Sequence, residues 1–303
     1  MGKIINSITF NILTCLLLLC CSSSIDNIKS IPTQFIIACG DDRIIAINPV
    51  IDITDTMTIV WDWSVKEVYD HLPEKYIDLF TPLDECKAID NNRKLLITSS
   101  GGATGIVDIK NRNLEFYAYT PMAHSAELLP EGYIAVANST HPKGNSLELY
   151  HRSESEKLIE SDSLYSGHGV VWNNDNKLLY ALGYDELRAY TFDENGSPKL
   201  NLIQIDSLPS VGGHDLSAID SKNLLITTHE NVYKYNIENR KFDIFSEMQN
   251  TPHVKSINYN PITKNIVYTK AEISWWTHNI YSKKPDKTYT IPDIDLYKVR
   301  IAP

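Results

Sequence analysis

His124-Ser125-Ala126-Glu127, His168-Gly169-Val170-Val171, His214-Asp215-Leu216-Ser217 and His253-Val254-Lys255-Ser256 are four versions of one theme, a histidine opening a short run of strand-forming residues. Glu85-Cys86-Lys87-Ala88-Ile89 joins them when its Lys and Ile are laid over Lys255 and Ile257. From Glu85 onward the steps between these starts are 39, 44, 46 and 39 residues. A period near 40 with about four short strands per unit is the signature of a propeller blade. A solenoid of strands repeats faster, and helical repeats carry a 3.6-residue apolar period that is absent here.

The sequence around these starts agrees. Lys94-Leu95-Leu96-Ile97-Thr98, Tyr133-Ile134-Ala135-Val136 and Leu224-Leu225-Ile226-Thr227 read as strands, with turn material such as Asp-Asn-Asn and Pro-Glu-Gly between the runs. Only Asp70 to Leu79 approaches a helical pattern, as a short helix in a loop. Five units with a full strand set begin near residues 84, 123, 167, 213 and 252. The segment 33–65 offers three strands, Gln34–Cys39, Arg43–Ile47 and Thr58–Trp63. Tyr297-Lys298-Val299-Arg300-Ile301, 44 residues past His253, is expected to complete that first blade as its innermost strand. Such closure removes a free sheet edge. The expected fold is an all-β, six-bladed propeller over residues 33–303, or seven-bladed if the long first unit merges two.

Composition bounds the rest. Hydrophobic residues make up 43% of the chain, ample for a core, and the net charge of -10 is spread along it. Binding to nucleic acid needs clustered Lys and Arg, so that partner class is excluded. Residues 1–21 read as an export leader: Lys3, an apolar stretch from Ile8 to Leu19, then Cys20-Cys21 before three serines. The apolar stretch is short of the roughly 20 residues a membrane helix needs. The pattern resembles a bacterial lipobox with Cys21 as the lipidated residue; a plain signal peptide cut nearby is the alternative. Residues 22–32 are then a linker, and the protein a monomer of the cell envelope, tethered to a membrane. Cys39 and Cys86 are the only cysteines beyond the leader, and are expected to be buried thiols.

In a propeller, equivalent residues at the starts of the innermost strands converge on the central axis. Glu85, His124, His168, His214 and His253 would therefore form a ring, suited by its donors to Mn, Zn, Ni or Fe. Asp84, Glu127 and Asp215 are candidates to orient the imidazoles. Lys87 and Lys255, two residues along from Glu85 and His253, are candidate bases. Trp275 and Trp276 could offer a sugar platform, with Tyr297 at the sixth ring position. Trp61 and Trp63 alternate as core residues, and His71, His141, His151 and His229 fall outside the register as surface residues. The bland alternative is a solvated channel whose imidazoles bond to water and backbone.

The segments CGDDRIIAINP, DECKAID, AHSAELLP, GHGVVW, GGHDL, HVKSI, WWTHNIY and YKVR together resemble a family of uncharacterised exported propellers common in Bacteroidetes, DUF6528. That resemblance implies fold and envelope location and carries no assigned reaction. A looser likeness, confined to the axial histidines, is to oligogalacturonate lyases, in which such residues hold a divalent metal. It implies a metal-assisted enzyme acting on an anionic glycan, with a non-catalytic glycan-binding lipoprotein as the alternative. Six-bladed lactonase-type hydrolases are a further analogy, but their carboxylate and amide ligands match this ring less well.

Overall fold

The computed structural model describes residues 28–50, 58–194 and 196–303. Six four-stranded antiparallel sheets form the blades of a propeller. Blade one contains Ile36–Gly40, Arg43–Ile47 and Ile59–Ser64, and its innermost strand is Leu296–Ile301 from the end of the chain. Ile36 pairs with Ile301 and Cys39 with Lys298, so the two ends of the propeller are joined in one sheet. The innermost strands of blades two to six are Leu83–Ile89, Ala123–Leu128, Gly169–Asn173, Asp215–Asp220 and Val254–Tyr259. The expected blade count and closure are both met. The Asp70–Leu79 region is part of two 3-10 turns, Val65–His71 and Glu74–Phe80, the first capped by Ser64 and Glu67. Among the described residues no helix is long and apolar enough to cross a membrane.

Sheet packing explains why the middle strands read as unbroken apolar runs. Successive side chains leave opposite faces of a strand, and each blade is covered on both faces by its neighbours. Leu95 and Ile97 enter the core shared with blade one, while Leu96 enters the core shared with blade three. Leu224 and Ile226 face blade four, and Leu225 faces blade six. Trp61 and Trp63 are buried as expected, and their indole N–H groups donate to the carbonyls of Ile109 and Arg112.

The central channel is blocked part-way by charge. Lys298 and Arg300, two apart on the closing strand, both point into it. The Arg300 guanidinium donates two bonds to Glu85 of blade two, at 2.8 Å each. It donates two more to Asp215 of blade five, at 2.7 Å each. Lys298 Nζ lies 3.1 Å from Asp215 and 3.6 Å from Glu85. It also donates to the carbonyls of His124 and His168. Two cations thus meet two anions, and all four side chains are essentially inaccessible to solvent. Burial alone would raise the carboxyl of Glu85, but Arg300 and then Lys298 outweigh it and hold it at about 2. Asp215 is likewise held below the usual carboxylate range against its burial.

Removing one member of a buried, fully bonded ion cluster leaves its partners uncompensated, at a cost of about 3–5 kcal/mol. Arg300→Leu should therefore lose stability on that scale in urea unfolding; an unshifted midpoint would show that the cluster contributes nothing. Because the folded pKa of Glu85 lies below its unfolded value of 4.5, its contribution is full above that value and lost as pH falls toward about 2. Thermal melts across that window should show the loss in the native chain and a smaller one in Glu85→Gln.

Candidate functional site

The upper end of the channel, where the innermost strands begin, is lined by one residue from each blade. Asp84, His124, Lys255 and Tyr297 occupy one-residue bulges, between Leu83 and Glu85, Ala123 and Ser125, Val254 and Ser256, and, in blade one, opposite the step from Cys39 to Gly40. His168 and His214 sit just before their strands, with backbone N–H groups bonded to Leu182 and Thr227. A bulge turns two consecutive side chains to the same side. In this way Tyr297 reaches the mouth while Lys298, the next residue, reaches the ion cluster beneath it.

The imidazoles form an arc. Ring centroids are 4.3 Å apart for His124 and His168, and 5.5 Å for His168 and His214. Tyr297 meets His124 edge-on at 5.7 Å. Nδ1 of His124 lies 3.0 Å from the Met122 carbonyl, and Nδ1 of His168 lies 2.8 Å from the Ser166 carbonyl. A carbonyl only accepts, so each Nδ1 carries the proton and each Nε2 keeps a free lone pair. His214 differs: its Nε2 lies 2.7 Å from Lys255 Nζ, and its Nδ1 is buried with no partner among the described residues.

Electrostatics keeps this arc neutral. Burial lowers the pKa of His124 despite the opposing pull of Asp84. Burial, reinforced by the neighbouring imidazoles, takes His168 well below the ordinary range. Burial and then Lys255 take His214 down to about 2. Asp84 is raised by burial, against the attraction of His124 and the backbone N–H of Ser100, which donates to it. Lys255 is 4% exposed; among the described residues it makes no carboxylate ion pair, and its ammonium lies 4.5 Å over the Trp275 ring. Desolvation lowers it to about 8.

Asp84, His124, His168, His214 and Tyr297 border a cavity of about 350 Å³, whose lining also includes Trp275, Trp276, Ser139, Thr140, Tyr184 and His229. His229 was not expected here. Its ring lies tilted at 44° to that of His214, with centroids 4.8 Å apart, and beside Gly212. A Cβ on Gly212 would lie 2.4 Å from the His229 ring, and its φ of +77° also favours glycine. The sequence signal was available in Gly212-Gly213, but His229 follows the second strand of its blade and so escapes a register built on first strands.

Of the sequence-predicted residues, the structure brings together His124, His168, His214, Asp84, Lys255, Tyr297, Trp275 and Trp276. It does not bring in Glu85, which lies one layer lower and is bonded to Arg300. His253 is exposed, two positions before the ring residue Lys255, with a left-handed φ of 61°. Lys87 and Glu127 form a 2.7 Å ion pair on the opposite side of the ion cluster, where they line the other mouth. They are neither a base nor an orienting group for these imidazoles. Asp215 bonds Arg300 and the Ile257 N–H and, among the described residues, has no hydrogen bond to a histidine. Among the described residues no three His, Cys, Asp or Glu side chains are placed to hold a metal ion. The expected five-donor set is dispersed, because Lys255 and Arg300 engage two of its members and His253 lies outside it.

A family described as "Family of unknown function (DUF6528)" matches residues 5–302. The chain belongs to that family. No curated protein matches this DUF6528 chain. The crystal structure of the Myceliophteria thermophila Cps50 (Swd1) β-propeller domain is similar to it with a TM-score of 0.57 and 12% identity, covering 89% of this chain and 83% of that one. At that identity the likeness shows the fold alone.

The lowered Lys255 has a direct signature. Its side-chain NMR signal should titrate near pH 8, well below the ordinary lysine value of 10.5. Burying the ammonium is unfavourable below about pH 8, so stability should rise between pH 8 and 10.5 as the folded state releases the proton first. A titration midpoint shared with the surface lysines would refute the desolvated amine.

Proposed function

We propose that the histidine-lined mouth binds a small polyhydroxylated ligand, a sugar or glycan fragment, in the cavity bounded by His124, His168, His214 and Tyr297. The observation that carries this reading is the fixed tautomer of His124 and His168. Both spend Nδ1–H on backbone carbonyls and leave Nε2 as an acceptor with no protein partner among the described residues. A pair of neutral acceptors 4.3 Å apart by ring centroid suits neighbouring hydroxyl donors. Trp275, 55% exposed, offers an aromatic face for the C–H side of a pyranose. The cavity volume falls within the range of ordinary small-molecule sites.

A catalytic reading rests on Lys255 and His214. An amine with a pKa of about 8, bonded to a neutral imidazole, is suited to accept a proton from a bound ligand near neutral pH. His124 and His168 also supply two free nitrogens toward a divalent metal, with chemistry such as polarising a uronate carboxylate; a third protein donor would require His214 to leave Lys255. Calorimetry with an oligogalacturonide and with a neutral manno-oligosaccharide, each with and without Mn, Zn, Ni or Fe, tests these alternatives. Binding of either sugar should weaken by about tenfold or more in His124→Ala plus His168→Ala. Equal binding by that double variant would overturn the proposal. If catalysis occurs, Lys255→Met should abolish turnover while leaving binding within about threefold.

The reading of residues 1–21 as a leader, with lipid on Cys21, concerns a segment outside the described residues. What supports a tether is the residue pattern of Lys3, Ile8 to Leu19 and Cys20-Cys21 before three serines. Ile31 bonds the carbonyl of Asn92, and Gln34 that of Ala302, both on the side of the Lys87 mouth. A lipid anchor there would leave the histidine mouth facing away from the bilayer. Metabolic labelling with palmitate should mark the native chain and not Cys21→Ala; label retained by that variant would move the lipid elsewhere.

A further inference from the structure

Asp84 lines the histidine mouth and is 3% exposed, yet it forms no ion pair among the described residues. Its Oδ2 accepts from the Ser100 N–H, and its Oδ1 has no hydrogen bond among the described residues. It stands beside His124: the residues that directly follow the two, Glu85 and Ser125, are hydrogen-bonded at 2.9 Å between blades two and three. His168 is next in the arc, its ring centroid 4.3 Å from that of His124. Three consecutive blades thus present three acceptors with no donor among the described residues: Asp84 Oδ1, His124 Nε2 and His168 Nε2. A buried carboxylate without a cation is costly, and a ligand cation relieves that cost. Among the described residues no three such side chains are placed to hold a metal ion. A metal stands about 2.0–2.2 Å from its donors, whereas a hydrogen-bonded nitrogen stands about 2.7–3.2 Å from its acceptors and so fits a wider ring.

We infer that Asp84, His124 and His168 cradle a primary ammonium, so that the ligand of this mouth is a sugar bearing a free amine. The sugar rests on the function proposed above; the amine rests on this set of acceptors. An ammonium brings three N–H bonds, one for each acceptor, and a charge for the carboxylate. A hydroxyl donates only once and carries no charge. An acetylated amine also donates only once, and its carbonyl adds an acceptor where the site already has three. The mouth's own ammonium, Lys255, lies in blade six, half a turn round the ring from His124 in blade three. There it is held by His214 and the Trp275 ring. The approach favours a cation as well. The turns that join second to third strands border this mouth, and they carry Asp41, Asp185 and Glu230, which form no ion pair among the described residues, against one lysine, Lys143. Such a field raises the local concentration of cationic ligands.

Calorimetry of the full chain near neutral pH compares three trisaccharides of one linkage. They are the glucosamine trimer, its N-acetylated form, and cellotriose, which has hydroxyls in place of the amines. His124 and His168 remain acceptors under these conditions, because burial lowers both. The glucosamine trimer should bind about tenfold or more tightly than the other two. Asp84→Asn keeps the size of the side chain and an acceptor for Ser100, and should reduce that advantage to within about threefold. A melting curve checks that the variant folds, and the comparison of sugars in the native chain does not depend on it. Equal binding of the three sugars, or preference for the acetylated one, overturns the amine and leaves the sugar reading standing. An amine preference that Asp84→Asn leaves intact places the recognising charge elsewhere and overturns the cradle. Binding of none refutes the sugar reading and the inference together.

Discussion

One guanidinium holds the centre of this propeller. Arg300 bonds Glu85 and Asp215 through both oxygens of each, and these carboxylates come from blades two and five, on different sides of the axis. Planar, bidentate bonding to two carboxylates at once is something lysine's point charge does not offer. Ion clusters in a low-dielectric interior repay their desolvation only when every donor and acceptor is engaged. Here Ser125 also donates to Glu85 and the Ile257 N–H to Asp215, so the cluster is bonded from blades three and six as well. The cluster lies between the two mouths, with Arg300 lining the one that holds Lys87.

The same cluster shapes the chemistry above it. Lys298 donates to the carbonyls of His124 and His168, the residues whose imidazoles carry the free Nε2 atoms. Its charge, close beneath them, adds to burial in disfavouring imidazolium. The mouth is thus polar without being charged, apart from Asp84 and the weakly basic Lys255. Of the cations near it, Lys298 and Arg300 are engaged by Glu85 and Asp215, whereas Lys255 faces His214 and the Trp275 ring.

Much of the fold was legible because blades repeat and because a strand buried on both faces must be apolar throughout. Leu95-Leu96-Ile97 and Leu224-Leu225-Ile226 announced their positions, and Tyr297–Ile301 announced the closure by standing alone after the last complete unit. The ring was legible only to within a residue or two. Aligning Lys87 with Lys255 treated every strand as regular, whereas bulges shift the channel-facing phase in four blades. A slip of one residue in a strand exchanges its two faces. Glu85 therefore took the place that belongs to Asp84, one residue away, whereas His253 precedes its strand and lies two residues before the ring residue Lys255. Sequence periodicity does not encode a bulge, and it was silent about His229, which comes from a different strand edge.

The closing strand binds these levels together. Three of its residues act at three depths: Tyr297 edges the imidazole arc, Lys298 spans to the backbone beneath it, and Arg300 locks the cluster. The site cannot exist as a complete ring before the C-terminal strand pairs with Ile36–Gly40, although its histidines come from blades formed earlier along the chain. Closure of the propeller and assembly of the mouth are in this sense one event. A ligand that contacts both Tyr297 and the His124–His168 pair binds only the closed form, and so adds its binding energy to the joint where the two ends of the ring meet.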